Sequence, residues 1–367
     1  MNTFPDWLVR IKKTLPHWID EISHSDGPGR FRFALEAYEP YDLDSSHLLH
    51  NIIFSTADAG RGLPSEEERR QWIDYLCGLQ RAEDGLLIDP GMERHIISKG
   101  LTPTEEETAN VRRFTSRNGL CTVIELGGKP RYPLRHNEVF RQPEEIIHYL
   151  ESLPWENPWG AGSWAGAIIL FQHFNRLLGD EKADELIQVA ANWLVKKQNP
   201  KTGAWSNGSD VPLHCLINGI FKVWIQVIPV SDMPVQYPEQ VIDLCIKGMR
   251  EDTALKDMPD TCSIFDVALV LDIALRFTDH RRNEVAELAK AALPQLEPMV
   301  RPDGAFSYGQ EHSLADHGGL NLAPVKNQSD ATGTALMCNT IPLLCNLCGL
   351  REELGWTPLT EWRMGLK

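Results

Sequence analysis

Several titratable side chains of this chain stand where an apolar helix is about to begin. They are Asp42 and Asp44 in Tyr41-Asp42-Leu43-Asp44-Ser45-Ser46-His47, then His214, Asp266 and Asp330, with His312 in the loop before the last of them. Groups of this kind converging on one cavity are what acid–base chemistry needs. Asp44, Asp266, Asp330 and Glu311, together with His214 and His312, suit general acid–base work on a sugar. Each acid also has a plainer use, because Asp at a helix start caps it and contributes about 1 kcal/mol. Trp155, Trp159 and Trp164 cluster around a glycine-rich turn, where they wall an aromatic cavity, stack on sugar rings or simply pack as core. Tyr308-Gly309-Gln310-Glu311-His312, with Asp316 and His317, is the richest polar loop. It is either a solvated rim or a lid that brings Tyr308, Glu311 and His312 to a substrate. Cys345-x-x-Cys348 and Cys338 share one apolar helical stretch without a second CxxC, so they read as core cysteines rather than zinc ligands. His47-x-x-His50 is a pair on one helix face.

Helices must position these groups, since helical periodicity dominates and no series of alternating strand patterns stands out. A period of roughly 50–60 residues signals an array of like units. Apolar helices begin near Asp44, Val111, Ser163, His214, Asp266 and Asp330, and charged amphipathic helices such as Glu181–Lys197 and Arg281–Leu293 partner them. The spacing predicts an all-α, (α/α)6 toroid of two concentric rings, a single domain over residues 1–367. Its inner helices are apolar nearly all round because they are covered on both sides. Their starts share one mouth of the barrel. Pro90–Thr108 and Ser307–Asp330 are the longest irregular connections, and such loops often serve as rims or lids.

The joints between helices carry a pattern of their own. Trp193-Leu194-Val195-Lys196-Lys197-Gln198 leads into Asn199-Pro200-Lys201-Thr202-Gly203-Ala204-Trp205, and Tyr75 to Leu87 repeats the spacing with Gln80 and Gly85. Arg301-Pro302-Asp303-Gly304-Ala305-Phe306 keeps only the turn and the aromatic. A glutamine amide can satisfy backbone groups orphaned at a helix end, glycine allows the turn, and the aromatic packs back on the joint. The segment resembles the QW repeat of the squalene-cyclase and prenyltransferase superfamily. Tyr41 to His47 is similar to the Asp-x-Asp-Asp motif of class II terpenoid cyclases, whose middle acid protonates an alkene or epoxide. That resemblance makes Asp44 the general acid and Asp42 its hydrogen-bonding neighbour, with Ser45 where the family has its final Asp. Pro259-Asp260-Thr261-Cys262-Ser263-Ile264-Phe265 resembles the zinc-binding Asp-x-Cys segment of protein prenyltransferase β subunits. The third zinc ligand there is a histidine in the last inner helix, and the matching position here is Gly333. No catalytic zinc and no other cofactor is therefore expected, and Lys256 is the one cation near enough to meet a diphosphate.

A formal charge of −15 argues against nucleic acid and anionic membrane surfaces as partners. No apolar run approaches the ~20 residues of a bilayer span, so no integral membrane segment is expected. Asp6, Arg10, Lys12 and Lys13 break up the first residues, which do not read as a signal peptide. Eight scattered cysteines in apolar patterns suit a reducing, cytoplasmic setting. Taken with the resemblance, the expected function is a terpenoid-cyclase-like enzyme using acid-initiated chemistry on an isoprenoid in a central cavity. The alternatives are a carbohydrate-active enzyme with carboxylate and histidine acid–base catalysis, or a non-catalytic toroid that binds protein. An apolar lining favours the isoprenoid, and one of Asn, Asp, His and Arg favours the sugar.

Overall fold

The computed structural model describes residues 4–57, 62–89, 105–135 (side chains from 111) and 139–366. Of the predicted loop Pro90–Thr108, residues 90–104 lie outside the described residues, and the remainder opens a helix. Helix accounts for 59 % and strand for 4 %, so the protein is all-α. In chain order the helices are α1 (Asp6–Ile22), α2 (Leu43–Thr56), α3 (Glu66–Gly78), α4 (Glu105–Glu125), α5 (Pro143–Ser152), α6 (Pro158–Arg176), α7 (Ala183–Lys197) and α8 (Leu213–Val227). They continue with α9 (Pro238–Glu251), α10 (Thr253–Lys256), α11 (Thr261–Ala274), α12 (Arg282–Ala292), α13 (Ala331–Leu347), α14 (Arg351–Leu354) and α15 (Leu359–Trp362). The one sheet among the described residues is a hairpin of β1 (Asp316–His317) and β2 (Leu320–Asn321).

All six predicted apolar helices exist, as α2, α4, α6, α8, α11 and α13. Every residue of α2 except Phe54 is buried, and every residue of α11 except Cys262. In the charged helix α12 only Val285, Ala289 and Ala292 are buried, the narrow stripe of an amphipathic element. Three starts fall earlier than the periodicity suggests: α4 opens at Glu105 rather than near Val111, and α6 and α11 open before Ser163 and Asp266. Asn157 caps α6 with Pro158 at its first position, and Asp260 caps α11 through the backbone N–H groups of Cys262 and Ser263. Asp266 therefore sits in the second turn of its helix, not at the opening.

The chain forms two compact units. Unit 1 comprises Met1–His136, Leu296–Asn339 and Gly355–Thr357. Within it α2 lies against α4, and α3 packs on α4 as well. Unit 2 comprises Asn137–Gln295, Thr340–Leu354 and Pro358–Lys367. Its most extensive packing is α6 against α8, and α11 packs on α8 as well. The segment Leu213–Val230 is long and apolar enough to cross a bilayer by length and composition, but half of it is buried inside the protein, as a core helix would be. All eight cysteines are free thiols.

The two full joint motifs are built alike. Gln80 Nε2 donates to the carbonyl of Gly85 at 2.6 Å, and Gln198 Nε2 donates to that of Gly203 at 2.7 Å. The glutamines thus clamp the turn that follows rather than the end of the preceding helix. Gln80 does more, accepting from the backbone N–H groups of Arg131 at 2.7 Å and Tyr132 at 2.9 Å.

Candidate functional site

The first turn of α2 separates its two acids by role. Asp42 is the cap: Oδ1 accepts from Ser45 N at 2.7 Å and Oδ2 from the Ser45 hydroxyl at 2.6 Å. Burial, followed by the neighbouring Asp44 carboxylate, pushes the Asp42 carboxyl up to about 8. Asp44 is therefore not needed as a cap. Its side chain is fully buried, Oδ1 has no hydrogen-bond partner, and Oδ2 meets His317 Nδ1 at 2.5 Å.

A tight hairpin delivers His317. The pairing of Asp316 with Asn321 and of His317 with Leu320 leaves Gly318 and Gly319 as a two-residue turn, at φ 58° and 87°. Such a turn asks for positive φ at both positions, which glycine adopts without strain. A Cβ on Gly318 would lie 2.3 Å from the Phe114 ring of α4, so the turn also needs glycine for space. Phe114 in turn stands edge-on to the His317 ring, with centroids 5.2 Å apart. The imidazole is thus held by Asp44 on one side and Phe114 on another. Its side chain keeps 24 % exposure, and Nε2 makes no hydrogen bond among the described residues.

Asp330 fixes the base of the same loop. Its Oδ1 accepts from Gly333 N at 2.7 Å, and Oδ2 accepts from Tyr308 N at 2.8 Å and Leu314 N at 2.9 Å. Burial drives its carboxyl up to about 6, against the pull of those three N–H bonds and of His317. Along α2 a polar row continues from Asp44 through His47, Asn51 and Ser55, at the 3–4 residue spacing of one helix face. His47 Nδ1 meets Thr122 Oγ1 at 2.9 Å, Asn51 Nδ2 meets His47 Nε2 at 3.2 Å, and the Ser55 hydroxyl donates to Asn339 Oδ1 at 2.6 Å. All four are buried, the reverse of what an apolar core face would be.

Comparison with family profiles, curated proteins and solved structures gives no match to this chain.

The remaining candidates divide between the units. In unit 1, Tyr308 joins the Asp330 network through its backbone, whereas Glu311 and His312 lie exposed. In unit 2, His214 pairs with Asp252 through Nδ1 at 2.8 Å and through its backbone N–H at 3.0 Å. Burial raises the Asp252 carboxyl, but these bonds outweigh it and hold the group below its ordinary range. Asp266 is wholly buried on α11, its Oδ1 unpartnered, and burial keeps its carboxyl well above the usual range. Asn218, with its amide nitrogen turned towards both acceptors, reaches Asp266 Oδ2 at 3.3 Å and the His214 carbonyl at 2.9 Å. Trp155 is buried, Trp159 is 43 % exposed with Lys222 Nζ 6.0 Å from its ring centroid, and Trp164 is half-buried.

His317 is the candidate that the sequence shows only as one polar residue of a loop. Asp-His-Gly-Gly-Leu-Asn carries a hairpin signal, two glycines between short flanks, that marks where the histidine is presented. Gly333 also has a physical reason. A Cβ there would come within 2.2 Å of Ser307 C and Tyr308 N, so the loop backbone occupies the space a histidine side chain would need. No group of three His, Cys, Asp or Glu side chains suited to a metal ion occurs among the described residues.

Proposed function

We propose that the chain is an enzyme in which His317, oriented by Asp44, carries a proton to or from a hydroxyl-rich substrate of the carbohydrate class. The observation behind this reading is the pairing itself. A buried carboxylate takes the Nδ1–H of an imidazole whose Nε2 stays open, which fixes the tautomer and presents a base. Asp44 is too deeply buried to reach a substrate, so it acts through His317. The substrate class rests on the make-up of that helix face, where Asp44, His47, Asn51 and Ser55 stand in place of the apolar side chains that would wall an isoprenoid site. The alternation of wholly buried helices with amphipathic ones supports the (α/α)6 toroid as the scaffold, in keeping with the resemblance to the terpenoid-cyclase and prenyltransferase superfamily.

Acid-initiated chemistry on an isoprenoid is the second reading, favoured by Asp42. A carboxyl pushed to about 8 keeps its proton at neutral pH, as such chemistry requires beside a reacting double bond. The experiment is a turnover screen of the full chain against soluble polysaccharides, squalene and geranylgeranyl diphosphate. On the substrate found, His317→Gln and Asp44→Asn should each lower turnover by about 10²–10⁴-fold with melting temperature unchanged. Full turnover in His317→Gln would refute the base, and turnover of an isoprenoid alone would replace the substrate class.

A further inference from the structure

Apart from that pair, unit 2 holds a pocket of about 300 Å³ beside the second joint motif, walled by Trp155, Trp193 and Trp205. Two of the three indoles cannot swing. Trp155 Nε1 donates to the carbonyl of Leu150 at 2.8 Å, and Trp205 Nε1 to that of Leu194 at 2.8 Å. The Trp193 ring is tilted 31° to Trp155 with centroids 5.8 Å apart, and its own Nε1 is buried without a partner. Fixed aromatic walls make a preorganised surface rather than a simple core contact.

The rim decides what fits. Glu151 and Lys197 are both about half-exposed and pair across it at 3.7 Å, with Ser206 and Asn207 completing the edge. A hydrocarbon would desolvate these groups without repaying their hydrogen bonds. A quaternary ammonium would meet Lys197, whose Nζ already stands 5.5 Å from the Trp193 ring centroid and repels a second cation. A sugar ring satisfies both demands, laying its C–H face on the indoles and offering hydroxyls to a carboxylate, an ammonium, a hydroxyl and an amide.

We propose that the Trp155–Trp193–Trp205 pocket is a sugar-binding site, independent of the chemistry assigned to Asp44 and His317. The test is intrinsic tryptophan fluorescence and calorimetry on the full chain, titrated with maltotriose, cellotriose, chitotriose and trigalacturonate, with choline as the cationic probe. At least one of the sugars should bind with a Kd in the micromolar to millimolar range, and choline should not. Trp193→Ala should weaken that binding at least about tenfold, and Glu151→Gln, a rim change that cannot disturb the core, should weaken it measurably. The proposal is overturned if none of the four sugars binds, if Trp193→Ala and Glu151→Gln both bind as the wild type does, or if choline is the ligand. Should Trp193→Ala lose its helical circular dichroism, Glu151→Gln and Lys197→Met decide the matter alone. Unaltered sugar affinity in both would then refute it.

Discussion

Replacing Asp42 by asparagine should stabilise this protein, and the gain should depend on pH in a defined way. The side chain caps α2 through Ser45, and its carboxyl is raised from 3.8 to about 8 by burial and by Asp44. Between those two values the unfolded chain has given up the proton that the folded chain retains. The folded state binds more protons there, so stability falls as pH rises, by at most about 1.36 kcal/mol per pH unit. The contribution of the protonated form is complete below about 3.8 and lost as pH climbs to about 8. At pH 7 the accumulated penalty has an upper bound of roughly 4 kcal/mol. Asparagine caps a helix about as well as aspartate and never ionises. Asp42→Asn should accordingly be about 2–4 kcal/mol more stable than the wild type at pH 7, with the difference shrinking towards zero at pH 4. Urea denaturation of both proteins across this range measures it. A difference that does not change with pH, or a variant less stable at pH 7 than at pH 4 relative to wild type, would refute the burial argument.

Other changes probe the loop and the C-terminal segment. Gly318→Ala puts a Cβ into Phe114 at a positive φ and should cost about 1–3 kcal/mol in thermal unfolding, whereas Gly349→Ala, also at positive φ but in open space, should cost about 1 kcal/mol. Gly333→His should fail to create a zinc site and should lower the melting temperature, since its Cβ meets the Ser307–Tyr308 backbone; one zinc per chain in elemental analysis would contradict this. Asp272 holds Arg276 at 2.9 Å, the Thr360 hydroxyl at 2.7 Å and Asn346 Nδ2 at 2.5 Å. Asp272→Ala should cost about 3–5 kcal/mol and expose the Leu359–Trp362 segment to limited proteolysis, read by mass spectrometry.

Helix type and order were legible in the sequence because burial on all sides and burial on one stripe leave different periodicities, as α2 and α12 illustrate. The spacing of the joints was legible too, but not the glutamines' partner, since Gln80 and Gln198 hold the turn five residues on rather than the helix end. The helices expected near Val111, Ser163 and Asp266 begin earlier: α4 opens with a charged turn from Glu105 that an apolar pattern skips, and the all-buried α6 and α11 have no edge but their caps, Asn157 and Asp260. Asp42-Leu43-Asp44 offers two equally good caps on paper; the choice between them depends on which carboxylate finds another partner. That partner, His317, lies 273 residues away and is brought in by a turn, beyond the reach of any local pattern.

Unit 1 joins Met1–His136 to Leu296–Asn339, segments far apart in the chain, and this has a consequence for synthesis. Thr14 reaches Gly304 and Ala331 donates to the Phe33 carbonyl, so the first helices rest on residues made much later. Residues 137–295 must be translated in between, roughly 10–30 s at ~5–20 residues per second. For that interval α2 lacks the residues that cover it in the folded protein. The Asp44–His317 contact cannot form until the hairpin that carries the histidine has been made.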